Sequence, residues 1–384
     1  MADEITTLIT QVGLTPEAFL VLIVLVVIVV GAIIVIIASR PVLDIYPYLN
    51  PSARVRARKG RLFDEKQLSE IVEASDIDEV VNYLRGFPDY AAYLDNYPLE
   101  KALDIELAET YNLLSRIAPK DIQKSFNILA KKSDIQNIKS LIAAKAMGLD
   151  KDTILNFLIP SGSLYSEIEQ LVDVNNITDI VTGLDDTEYA SVLEDALPQY
   201  EESKSVLHLE SALDKYYLKN LLESSGIPSD ENSQILYQYI GNQVDVANIK
   251  LIIRAKADGL SYDETSQYMV NDGFELREWK LKDLMESEDV AGVISSLEGT
   301  SYSSILADAL SKYNETGSIS VFEKALDEYI INNTKSLALK KPLGIGPILG
   351  FLNQKEREIK NLKIIARAKR EVNFPVSEIQ EMLV

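Results

Sequence analysis

His208 is the single imidazole of the 384-residue chain, and there is no cysteine. A Ser-His-Asp arrangement would depend on that one ring, and a multi-histidine metal site cannot be built from it. Without a thiol there is no cysteine nucleophile, no disulfide framework and no Cys-based zinc or iron–sulfur centre. His208 lies between Leu207 and Leu209 in SVLHLESALD, which reads as a helix face, so a structural or surface role is expected. Asp185 and Asp186 could serve acid–base hydrolysis if paired carboxylates converged on a substrate. A chain with 59 acidic residues yields such neighbours readily, and helix capping is the simpler expectation. The loop KKPLGIGPILG, from Lys340 to Gly350, carries Gly344, Gly346 and Gly350. It lacks both the G-x-x-x-x-G-K-[ST] pattern and the dinucleotide fingerprint and follows no strand pattern, so it is expected to be a turn into the next helix. No catalytic residue, metal ligand, cofactor-binding residue or cofactor is expected.

The elements that would position any site are set by charge and hydropathy. The 38 Lys plus Arg against 59 Asp plus Glu give a net charge of -21. Such a body is repelled by phosphate backbones, which excludes nucleic acid as a partner. The charges are unevenly spread: residues 18–38, AFLVLIVLVVIVVGAIIVIIA, are 21 consecutive uncharged residues. A helix of that length is about 31 Å long, enough to cross a bilayer's hydrocarbon core. Asp3, Glu4 and Glu17 precede it with no Lys or Arg, and Arg40-Pro41 follows, unlike a cleaved signal peptide with its basic start and short apolar core. A retained single-pass anchor is expected. The first cations, Arg40 and then Arg54, Arg56, Arg58, Lys59 and Arg61, follow the span, which places the large C-terminal part in the cytoplasm and the chain in the cell membrane. Beyond residue 40 the body holds 37 bases and 56 acids, a net charge of -19.

Three short elements recur in that body, in one order, three times. NIKSLIAAK begins at Asn137, NIKLIIRAK at Asn248 and NLKIIARAK at Asn361, and the middle copy matches each of the others at six of nine positions. LEKALD begins at Leu99, LESALD at Leu209 and FEKALD at Phe322. Upstream of each stand YAAYL at Tyr90, YASVL at Tyr189 and YSSIL at Tyr302. From Glu100 to Asn137, Glu210 to Asn248 and Glu323 to Asn361 the offsets are 37, 38 and 38 residues. A weaker, leading copy, NPSARVRARKGRL, starts at Asn50, with Pro51 suited to a helix's first turn. The apolar residues fall at helical spacing and alternating runs are scarce, so the body is expected to be all-α. The expected organisation is an anchor over residues 1–39, a leading half-repeat over 40–77, and helical repeats over 78–165, 166–277 and 278–384.

The punctuation suggests local roles. Asp245 is expected to cap the helix carrying Asn248, Gly259 to end it, and Ser261 with Glu264 to form a capping box for the next; Ser133 with Gln136, and Gly148, would play the same parts one repeat earlier. Lys250 and Arg254 share one face of the repeated helix. The cations near its end, Arg254 and Lys256, with Arg367 and Lys369 in the last copy, complement the helix dipole or meet a partner. The basic cluster Arg54 to Arg61 could meet anionic headgroups or cytoplasmic loops of membrane subunits, or serve as a solvated face.

Three of these features carry a resemblance: the R-x-R-A-x-K run from Arg54 to Lys59, the N-[IL]-K-x-[LI]-[IA]-x-A-K helices, and GPILGFLNQKEREIKNLKIIARAK from Gly346 to Lys369. Together they resemble the family of C subunits of archaeal A-type (or V-type) ATP synthases, similar to the d subunit of eukaryotic V-type ATPases, from about Tyr46 onwards. The resemblance implies three helical bundles related by a pseudo-threefold axis and forming a funnel. Its base would rest on the proteolipid rotor ring and its mouth would receive the central shaft. It implies a non-catalytic rotor part that transmits torque between ion flow and ATP turnover. The N-terminal span departs from many members, which begin near the Asn50 segment, and a helix turning with the ring is expected in the ring's lumen. The alternative is a membrane-tethered helical-repeat scaffold for some other cytoplasmic protein.

Overall fold

A computed structural model describes residues 15–371 and 374–384; the acidic start bearing Asp3 and Glu4 lies outside them. Every regular element among the described residues is helical. The chain divides into two compact units, residues 1–49 and 50–384.

In the first unit the apolar run is a helix with its side chains outward: Leu20, Val27 and Ile34 are each at least 60 % exposed. Over an 18-residue window its mean hydropathy is 3.8, and by length and composition the helix could cross a membrane. Assigned from Pro16 to Lys59, it runs through Pro41, Pro47 and Pro51. Pro51 is therefore interior to a helix, where the leading copy of the repeat was expected to begin one. Each of these prolines removes an N–H from the helical ladder.

The second unit holds three main hydrophobic cores of one construction. One runs from Ile135 to Leu213 and another from Val246 to Leu326. Each starts on a helix bearing the repeated asparagine, Lys132–Ala146 or Glu231–Ala257. Each ends on the following helix with the ALD signature, Leu207–Ser225 or Ser320–Lys340. The remaining core is assembled from both ends of the unit: Ile359, Leu362, Ile365, Ala366 and Ile379 pack with Ile71, Val80, Leu84, Leu99 and Leu103. Its asparagine helix is Gly346–Ala368 and its ALD helix is Leu99–Ile117. The last asparagine helix thus shares a core with the first ALD helix, more than 200 residues earlier in the chain.

Local chemistry explains the boundaries. Asp76, Asn176 and Asp289 stand at matching places in the three cores, and each accepts a backbone N–H from the third residue of the short helix that follows. Gly148 and Gly259 adopt φ of +68° and +72° just beyond asparagine helices, where a side chain would be strained. Ser261 and Glu264 form the expected capping box. Asp245 and Ser133 do not cap. The helix carrying Asn248 starts at Glu231, capped by Asp230, so Asp245 is mid-helix, and Ser133 is buried in its helix's first turn with no side-chain cap bond there.

Between Ser320–Lys340 and Gly346–Ala368 the glycine-rich segment is the expected turn. Its glycines serve close packing: a Cβ on Gly346 would lie 2.1 Å from the Ala338 carbonyl oxygen, and one on Gly344 would lie 2.1 Å from Asn232 Oδ1. Asn232 accepts the Ile345 N–H at 3.0 Å.

Candidate functional site: paired helices lining a cavity

The repeated asparagines are buried anchors. Asn137 donates to the Ile159 carbonyl at 2.8 Å and accepts the Ile159 N–H at 2.7 Å. Asn248 holds both peptide groups of Val270 at 2.7 and 3.0 Å, and Asn361 holds those of Val384 at 3.0 Å each. A carboxamide has one acceptor and one donor side, so it can replace a strand partner for a single extended residue. The loop 22 or 23 residues downstream is thereby pinned to its helix.

Three residues before each asparagine stands a buried acid: Asp134, Asp245 or Glu358. Asp134 accepts from the Leu164 N–H at 3.0 Å and the Ser163 hydroxyl at 2.7 Å. Asp245 accepts from the N–H groups of Glu275 and Leu276 and, at 2.9 Å, from the Tyr302 hydroxyl. Burial pushes its carboxyl up to about 6 despite those donors. Glu358 accepts the Phe63 N–H at 2.6 Å and the Tyr90 hydroxyl. Tyr90, Tyr189 and Tyr302 are the residues opening the upstream repeated element, and all three are buried. The role of these acids escapes a reading of the sequence, although D-I-Q-N, D-V-A-N and E-I-K-N carry the signal.

The lysine of each N-[IL]-K run pairs with the last aspartate of an ALD run from the next copy. Lys139 meets Asp214 at 2.6 Å and Lys250 meets Asp327 at 2.6 Å. Lys363, in the last copy, pairs with Asp104 in the first. Arg254 adds Glu323 at 2.6 Å, while Arg367 and Arg370 reach Glu100 at 3.6 and 3.4 Å. Two of the four cations singled out in these helices, Arg254 and Arg367, thus have acidic partners within the chain. Lys256 and Lys369 are half-buried at the same helix ends and form no ion pair among the described residues. In the basic segment, Arg56 donates to the Pro342 carbonyl at 2.9 Å and Arg61 meets Asp89 at 3.1 Å. Neither of these two contacts is made to an asparagine helix. Arg54 and Lys59 are exposed and Arg58 is half-buried. His208 is half-buried, with Nδ1 on the Tyr268 hydroxyl.

A cavity of about 890 Å3 is lined by asparagine and ALD helices from all three cores. Matching positions recur in its wall: Lys139, Lys250 and Lys363, and Leu107, Tyr217 and Ile330. The lining carries eight bases against five acids, a surplus of +3 in a chain of -21. Several of these cations are held in ion pairs, but among the described residues Arg357, exposed there, and Lys215, whose Nζ donates to the Gln267 carbonyl, form none. The wall is a concave, cation-bearing surface held by side chains bonded to one another, a shape that can receive a protein element.

Residues 51–382 match the ATP synthase (C/AC39) subunit family. The A-type ATP synthase C subunit of Methanobrevibacter smithii is 65 % identical over 384 residues, all of both chains. That of Methanothermobacter thermautotrophicus is 53 % identical over the same span. That of Pyrococcus horikoshii is 31 % identical over 327 residues, 84 % of this chain and 86 % of its own. With its helical architecture and a match across nearly all of the second unit, the chain belongs to the ATP synthase (C/AC39) subunit family, as a C subunit of the A type and not an enzyme in itself.

Proposed function

We propose that the chain is the central-stalk coupling element of its ATP synthase, joining the membrane proteolipid ring to the central shaft so that ion translocation and ATP turnover share one rotation. The observation that carries this reading is the cyclic pairing of helices. Each asparagine helix is ion-paired to the ALD helix of the next copy, and the last copy returns to the first. Such closure supports three bundles about a pseudo-threefold axis, a funnel whose cavity receives the shaft. A torque-bearing socket needs rigidity and a broad surface, and the doubly bonded asparagines with the buried acids supply the first. The surplus cations of the wall suit an acidic shaft end.

In the same reading the helix of residues 18–38 crosses the bilayer once, inside the lumen of the ring, with the second unit in the cytoplasm. Arg54 and Lys59, exposed beyond the span, suit anionic headgroups or ring loops. Solubilising the membrane and purifying the synthase through its catalytic head tests the assignment. Stoichiometric recovery of this chain with ring and shaft proteins is the expected result, and its absence from an intact, active complex would leave the tethered scaffold as the better account. Reversing the two cavity cations, Arg357→Glu with Lys215→Glu, should weaken shaft retention more strongly at low salt than at high salt.

A further inference from the structure

The three cores differ in what surrounds the buried tyrosine of the upstream repeated element. In the core that ends at Leu326, the buried tyrosine Tyr302 faces Asp245, Asn242 and, with ring centroids 4.9 Å apart, Tyr329. In the core that ends at Leu213, Tyr189 packs on Tyr216 at 5.8 Å, and the lysine six residues before Asn137, Lys131, reaches Glu188 at the surface. In the core built from the two ends of the unit, the place matching Tyr216 and Tyr329 is Glu106, and the place matching Lys131 and Asn242 is Lys355. Here the lysine is 2 % exposed. Its Nζ lies 3.2 Å from Glu106, 3.1 Å from Glu358 and 3.9 Å from Asp89, and 3.1 Å from the Tyr90 hydroxyl.

Three carboxylates therefore converge on one buried ammonium at the seam between the helix Gly346–Ala368 and the first part of the second unit. The other charged groups facing it come from every neighbouring element. Arg61 pairs with Asp89, Arg58 lies near Glu106 and Tyr93, and Glu109 and Asp89 both act on Tyr93. Among the groups in ion-pair contact, Lys355 and Arg61 balance Glu358 and Asp89 when Glu106 is protonated. With Glu106 ionised, a third carboxylate competes for the Lys355 ammonium. Arg58, which forms no ion pair with Glu106 among the described residues, is the weakest of the influences on it, so a buried charge is left incompletely compensated and costly.

We propose that this seam is a proton-sensitive latch: closing it holds Glu106 in its protonated form, and ionisation of Glu106 loosens the first part of the second unit, residues 63–106, from the helix Gly346–Ala368. The two cores that are continuous in the chain carry tyrosine where the seam has Glu106, and have no such response at the matching position. The latch concerns the chain's own closure and holds whatever occupies the cavity. Burial is the main influence on Glu106, pushing its carboxyl up to about 7 against the pull of Lys355, so loosening is expected as pH rises between about 4.5 and 7.

Hydrogen exchange on the full chain in lipid nanodiscs, from about pH 5 to 8.5 and corrected for intrinsic chemistry, tests this. Peptides from residues 63–106 should lose protection by roughly tenfold or more relative to matching peptides of the Ile135 to Leu213 core. Glu106→Gln should keep the seam protected at about pH 8 and flatten its profile. If that variant fails to fold, Glu106→Met, which removes the titrating carboxyl and keeps Lys355 on Glu358 and Asp89, should be equally flat. A wild-type seam whose pH profile parallels the control core, or a wild-type response that survives in either variant, overturns the latch.

Discussion

Asn248 satisfies both buried peptide groups of Val270 with one side chain. Asn248→Ala leaves a donor and an acceptor unpaired in the core, and a loss of about 2–4 kcal/mol is expected in denaturant unfolding. Lys355 is the sharper case because three carboxylates depend on it. Lys355→Met should cost roughly 3–5 kcal/mol near neutral pH in denaturant unfolding, because it leaves buried carboxylates without their ammonium. The sign for Glu106 follows from its raised folded value. Its contribution is fully present below about 4.5, the ordinary carboxyl value, and is lost as pH rises through about 7. Urea unfolding at about pH 5 and pH 8 should show a fall for wild type that exceeds the fall for Glu106→Gln by on the order of 2 kcal/mol, allowing for partial exposure. By contrast, the Lys139–Asp214 pair is partly solvated, and a double-mutant cycle should return no more than about 1 kcal/mol. The recurring ion pairs therefore select which helices meet more than they stabilise the fold.

Among the elements, the antiparallel pair Ser320–Lys340 and Gly346–Ala368 is tightly packed at its turn. Gly346→Ala drives a methyl into the Ala338 and Lys341 carbonyls, 2.1 and 2.6 Å away, and should cost about 1–3 kcal/mol in thermal or denaturant unfolding. Gly350→Ala meets only the Ala338 Cβ at 3.3 Å and should cost far less. The N-terminal helix makes a separate prediction. On the proposed reading that residues 18–38 cross the bilayer, Ile28→Arg would place a charge mid-span at an insertion cost of about 2.5–3.5 kcal/mol, and the fraction of chain resisting alkaline extraction from membranes should fall. Element boundaries were legible where chemistry was local: the Ser261 capping box and the Gly148 and Gly259 stops are all present. Asp245 misled because it precedes a repeated run like a cap, whereas the helix had begun at Glu231 and the acid serves a loop 30 residues on.

At the scale of the whole molecule, the repeats were legible because the asparagine, lysine and ALD residues each have a physical task that tolerates few substitutes. What each residue bonds to was not, since Asn248 and Val270, or Lys250 and Asp327, are joined by folding and not by spacing. The sharing of one core by the two ends of the unit was the least legible feature. Glu358 and Phe63 are 295 residues apart, and no local pattern announces their contact. The cation surplus of the cavity was hidden as well, because the lining is drawn from helices of all three cores in an acidic chain. The central claim is that this cavity holds the rotating shaft. Because the chain has no cysteine, Arg357→Cys supplies a single thiol at the wall. Cross-linking it in the purified, active synthase should join this chain to a protein of the central shaft in high yield. Cross-links only to peripheral stator proteins, or none in a complex that retains the chain, would contradict the account.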